Sequence, residues 1–137
     1  MNCIFEYDDT FVYFDGHNNL CKGFTNEVTN LRALIIPSSI DSKILVTVTG
    51  SLSADLHSTV YATIYRNDED LSNNKHFAVI HNATHTNAEN ITMQFLDEPR
   101  TDKPLIYTVR VGSDFLYQSA YWNANLSRCT MTLLEFA

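Results

Sequence analysis

Residues 43 to 52 read KILVTVTGSL. Ile44, Val46 and Val48 fall on one side of an alternating pattern, with Leu45, Thr47 and Thr49 on the other. A helix has no use for that rhythm, because its faces recur every 3.6 residues, whereas successive side chains of a strand alternate between the faces of a sheet. β-branched residues dominate, as a pleated, half-buried surface favours. The same period governs VYATIYR (60–66), where Val60, Ala62 and Ile64 alternate with Tyr61, Thr63 and Tyr65. It recurs in HFAVIH (76–81), NITMQFL (90–96) and LIYTVRV (105–111), and no segment holds a helical period over ten or more residues. Strand-like runs spaced in this way predict an all-β sandwich or barrel.

Polar clusters separate the runs: SADLHS, NDEDLSNNK, NATHTNAE and DEPRTDKP. With only four Gly and three Pro in 137 residues, Asn and Asp must supply most turns, since they tolerate left-handed backbone and cap it with their own side chains. The length suits one domain, able to bury roughly two thirds of the surface its unfolded chain exposes. Residues 26–137 read as that domain, and 1–25 read differently. There, CIFEYDD and FVYFDG either pair as a hairpin across Asp8-Asp9-Thr10 or form an arm that docks on another protein. The aromatics Phe5, Tyr7, Phe11, Tyr13 and Phe14 are the candidate docking residues.

The final run, CTMTLLEFA (129–137), is apolar on both sides. Cys129, Met131, Leu133 and Glu135 share one face; Thr130, Thr132, Leu134 and Phe136 share the other. A strand with one wet face should be apolar on one side only. Its second side is therefore expected to meet another surface, most economically a second copy of the same chain.

A net charge of −7 and a pI near 5.0 with no Lys/Arg cluster exclude phosphate neutralisation, so neither nucleic acid nor an anionic membrane surface is an expected partner. The start is acidic and alternating, unlike a secretory signal, and no run reaches the length of a transmembrane helix. Cys3, Cys21 and Cys129 form no metal or disulfide framework and read as reduced thiols, with a Cys3–Cys21 bridge as the alternative. Sequons at Asn82, Asn90 and Asn125 then read as chance.

Chemistry-bearing motifs are scarce. His76, His81 and His85 cluster in sequence, but the last two flank a loop and have no reason to converge. Asp68-Glu69-Asp70 and Asp97-Glu98 read as turn residues rather than a calcium loop or a glycosidase pair. No G-x-S-x-G, Walker loop or HExxH occurs, so no enzyme and no cofactor is expected. FLYQSAYWN (115–123) offers Tyr117, Tyr121 and Trp122 as an aromatic ligand-binding surface, or else as packing under a connection.

ALIIPSSIDSKILVTVTGSLS (33–53) resembles the B–C strand region of the C1q/TNF-like jelly roll. VYATIYRN (60–67) resembles strand D and HFAVIHN (76–82) strand E. NITMQFLDEP (90–99) and LIYTVRV (105–111) resemble F and G, and TMTLLEFA (130–137) resembles H. The likeness is closest to domains of phage and virus structural proteins, through IIPSSIDSKILVTV, ATIYRN, FLDEPRTDKPLIYTV and TLLEFA in that order. It spans residues 26–137. It implies a homotrimer with strands C, F and H facing the threefold axis, which would place Leu45, Thr47, Thr92, Gln94, Thr132, Leu134 and Phe136 at the interface. The expected protein is a virion component assembled in the host cytoplasm, a decoration or minor capsid protein bound to capsid, tail or fibre proteins. The alternatives are a receptor- or carbohydrate-binding fibre tip and a secreted C1q/TNF-like ligand.

Overall fold

The computed structural model describes residues 3–8, 12–14, 27–82, 89–113, 120–123 and 128–136, with the side chains of 12–14, 27 and 28 excepted. Eleven strands follow in order: β1 (Cys3–Asp8), β2 (Val12–Phe14), β3 (Glu27–Ile35), β4 (Lys43–Ala54), β5 (Thr59–Arg66) and β6 (Glu69–Asp70). β7 (Ala78–His81), β8 (Glu89–Asp97), β9 (Leu105–Ser113), β10 (Ala120–Trp122) and β11 (Cys129–Phe136) complete the set, and no helix occurs among the described residues. The all-β expectation holds.

The strands form two antiparallel sheets. β4 is the spine of the first. It pairs with β8 along one edge, and with β11 and then β10 along the other. β1 and β2 lie outermost, on β11 and β10 respectively. The N-terminal stretch is thus one interrupted edge row. The hairpin reading fails on pairing: Cys3–Asp8 is matched residue for residue with Leu134–Cys129, and Val12–Phe14 with Trp122–Ala120. The second sheet runs β3–β9–β5, with β7 and β6 sharing the far edge of β5. Counting β1/β2, β6/β7 and β10/β11 as single rows, the sheets read 1-8-3-6 and 2-7-4-5 in chain order.

The core lies between these sheets and follows the alternation in the sequence. Ile44, Val46 and Val48 meet Val60, Ala62, Ile64, Val109 and Val111, and Met131 and Leu133 join them from β11. Each such side chain is worth about 1.5–3 kcal/mol relative to exposure. Gly50 continues the inward series of β4, and a Cβ there would lie 2.4 Å from Trp122 Cη2. The indole fills the space that a side chain at 50 would need.

Asn carries much of the backbone reversal, as its abundance in the loops predicts. Asn67, Asn73, Asn74 and Asn123 all have positive φ. The loop after β5 folds back over the second sheet. Asp70 accepts hydrogen bonds from Thr63 Oγ1, Ser72 N and Ser72 Oγ, and the His76 ring stacks on Tyr61 at 4.0 Å. Tyr61 and Thr63 are therefore buried on the outward side of β5, beneath their own chain.

Two carboxylates flank Ile44 at one end of the sandwich. Asp97, on β8, accepts from Arg66 Nη1 at 2.5 Å and Tyr107 Oη at 2.7 Å, so one side chain ties the two sheets together. Burial, and then the hydrogen bond to Asp97, push the Tyr107 hydroxyl far above its ordinary range. Glu135 is fully buried and accepts from Ser38 N and Ser38 Oγ, pinning the last strand to the β3–β4 turn.

Candidate self-association face

The outward side of the first sheet is a regular lattice, set by strand register. Cys3, Leu134, Leu45 and Leu96 line up across β1, β11, β4 and β8. Phe5, Thr132, Thr47 and Gln94 form the next row, and Tyr7, Thr130, Thr49 and Thr92 the one after. None of these twelve side chains is charged. Phe136 extends the lattice beyond the leucine row, beside Lys43.

The polar groups of this lattice are largely matched to each other. Thr49 and Thr130 hydroxyls lie 2.6 Å apart, and Gln94 Nε2 donates to Thr47 Oγ1. Groups already bonded within the sheet cost less to remove from water than unpaired ones. The apolar members stand clear of it: Phe5 is 58% exposed, Tyr7 55% and Leu96 47%. Charges sit on the rim. Lys43 Nζ lies 3.0 Å from Glu98, whose carboxyl is held below its usual range by the Lys43 hydrogen bond and charge. The Arg128 guanidinium covers the Tyr7 ring at 4.1 Å.

All seven residues expected at a trimer interface (Leu45, Thr47, Thr92, Gln94, Thr132, Leu134 and Phe136) fall on this one face. Phe5 and Tyr7, expected in a separate docking segment, stand in the same rows. Tyr13 and Phe14 lie on β2, opposite Tyr121 and Ala120, and Phe11 lies outside the described residues.

Of the two readings of FLYQSAYWN, a ligand surface or packing under a connection, Trp122 fits the second. Trp122 has no exposed surface and packs on Gly50 as part of the core. Tyr121 is half-buried and donates its hydroxyl to Asp55, while Tyr117 lies outside the described residues. The alternation itself accounts for this, since Trp122 pairs with Leu52, an inward position of β4.

The histidines stay apart in their contacts. His76 stacks on Tyr61, His81 Nδ1 lies 2.8 Å from Thr59 Oγ1, and His85 is outside the described residues. No group of metal-ligating side chains assembles among the described residues. Cys3 is an exposed free thiol, Cys129 is buried, and Cys21 is not described. Asn82 is buried, donating Nδ2 to Ala54 O, so its sequon is closed in the folded chain.

Sequence reasoning did not assemble the Asp97–Arg66–Tyr107 cluster or find the Glu135–Ser38 anchor. Parity carried the signal: Asp97 continues the inward series Ile91, Met93, Phe95, and Arg66 continues Val60, Ala62, Ile64. Comparison with known protein families and with curated proteins gives no match for this chain.

Proposed function

We propose that this chain is a non-enzymatic viral structural protein, a homotrimeric jelly roll attached to the virion as a decoration, minor capsid or fibre-associated protein. The 1-8-3-6 and 2-7-4-5 strand orders support the jelly-roll assignment, because a chain doubled back and rolled up pairs its first row with its last and its second with its seventh. The C1q/TNF-like resemblance over residues 26–137 supports it independently of the strand order.

The observation that carries the reading is the uncharged outer face of the first sheet. Sixteen acidic residues are distributed through the chain, yet none enters the three rows across β1, β11, β4 and β8. Copies of a chain with net charge −7 repel one another, so a self-contact has to be made where charge is missing. Exposed Phe5 and Tyr7 along the β1 edge, with half-buried Leu45 and Leu134 and exposed Leu96 in the leucine row, supply the apolar surface that stable interfaces need.

Cryo-microscopy of the particle that encodes the chain tests this function. The reading predicts threefold density on capsid, tail or fibre into which the sandwich fits with its first sheet toward the axis. Purified particles that lack the chain would overturn it.

A further inference from the structure

The second sheet faces the other way, and its outward side holds two arginines. β9 presents Ile106, Thr108 and Arg110 there, and register places Thr108 between Arg32 of β3 and Tyr65 of β5. The Arg110 guanidinium lies 3.9 Å above the Tyr65 ring. Its ion-pair partner is Asp68, at 3.4 Å and fully exposed. A contact of that kind contributes little. Arg32 is exposed and has no ion-pair partner among the described residues.

Two buried polar atoms lie in the same place. Thr108 is 8% exposed, and its Oγ1 has no hydrogen-bond partner among the described residues; neither has Arg110 Nε. Buried polar atoms are nearly always bonded, so two orphans at i and i+2 of one strand face require a reason. Next to them the surface turns apolar. Leu34 pairs with Ile106, and both line a groove with Arg32, Ala33 and Glu6.

We propose that this face binds an oxyanion (carboxylate, sulfate or phosphate) between Arg32 and Arg110, carried on a ligand whose apolar part rests against Leu34 and Ile106. Guanidinium groups are suited to such anions through paired N–H donors, and the hydroxyl of Thr108, which lies between Arg32 and the Tyr65 that Arg110 covers, adds a third donor. An acidic chain that leaves a guanidinium on each side of Thr108 without a firm carboxylate partner offers both to an anion supplied from outside. The inference is independent of self-association, which uses the opposite sheet.

NMR titration of the intact chain with acetate, hexanoate, sulfate and phosphate tests it. Saturable shifts at Thr108 and Arg110 are expected, with hexanoate severalfold tighter than acetate if the apolar groove takes part. The carboxylate and the sulfate–phosphate arms separate an acidic side chain or sugar acid from an esterified ligand. Arg32→Gln, at an exposed position, should weaken binding about tenfold, the scale of one charged hydrogen bond. Thr108→Val should weaken it without loss of stability, because it removes an unpaired hydroxyl. The proposal is overturned by any of three results: no saturable shift with all four anions, a loss below about threefold in a folded Arg32→Gln chain, or destabilisation by Thr108→Val.

Discussion

Gly50 shows how one small residue fixes a core. Its inward position is taken by the Trp122 ring, and an added methyl would meet two indole carbons and the Cys129 sulfur. Gly50→Ala should therefore destabilise the fold by about 1–3 kcal/mol, the cost of overpacking, read from a urea midpoint. A neutral effect would mean that the indole yields easily. Asp97 is a second pivot. Asp97→Ala leaves half-buried Arg66 with only the exposed Glu69 and strips Tyr107 of its acceptor, at a cost of about 3 kcal/mol; a loss under about 1 kcal/mol, the scale of a single ordinary hydrogen bond, would show that the sheets do not depend on it. His76 is the titrating residue to watch. Burial holds its pKa below the ordinary value, and the nearby Asp70 offsets this only in part. The unfolded chain therefore takes up the proton first, and the stability His76 contributes is complete above its ordinary pKa of 6.5 and declines as pH falls below it. His76→Asn, which tolerates the same left-handed backbone, should flatten that decline between about pH 7.5 and 5.5 in chemical denaturation. An unchanged slope would contradict the assignment.

At the scale of elements, the period of two was sufficient for the inner strands. β4, β5, β8, β9 and β11 lie within a few residues of the alternating runs, because each packs one face on the same core and alternation records that directly. What alternation cannot record is which strand lies beside which. CIFEYDD and FVYFDG read equally well as a hairpin because pairing depends on distant partners, here Leu134–Cys129 and Trp122–Ala120. Trp122 stays open between a ligand surface and packing for a related reason: polar neighbours in FLYQSAYWN hide its side, which its pairing with Leu52 sets inward. The pairing of β1 also changes how its aromatics should be tested. Deleting residues 1–25 would remove an edge strand from the sheet, so point changes are the cleaner probe. Phe5→Ser, in line with Thr132 and Thr47, should weaken self-association while leaving the far-ultraviolet β spectrum intact. Unaltered association combined with lost particle binding would return Phe5 to a separate docking role.

For the molecule as a whole, the two outer faces divide the work that the core does not do. One is uncharged, with apolar side chains along its β1 edge and leucine row, and suits a second copy; the other holds Arg32 and Arg110 beside Leu34 and Ile106, and suits an anion. The sequence announced the first through the double-sided apolar strand TMTLLEFA and the family resemblance, and gave no hint of the second, whose arginines are 78 residues apart and reach one sheet face only through strand pairing. The most direct measurement is sedimentation equilibrium of the wild-type chain beside Leu134→Asp. Wild type is expected at three times the 15.6 kDa chain mass, and the variant, with a charge in the leucine row, as a folded monomer. A wild-type chain that stays monomeric at high concentration would contradict the account.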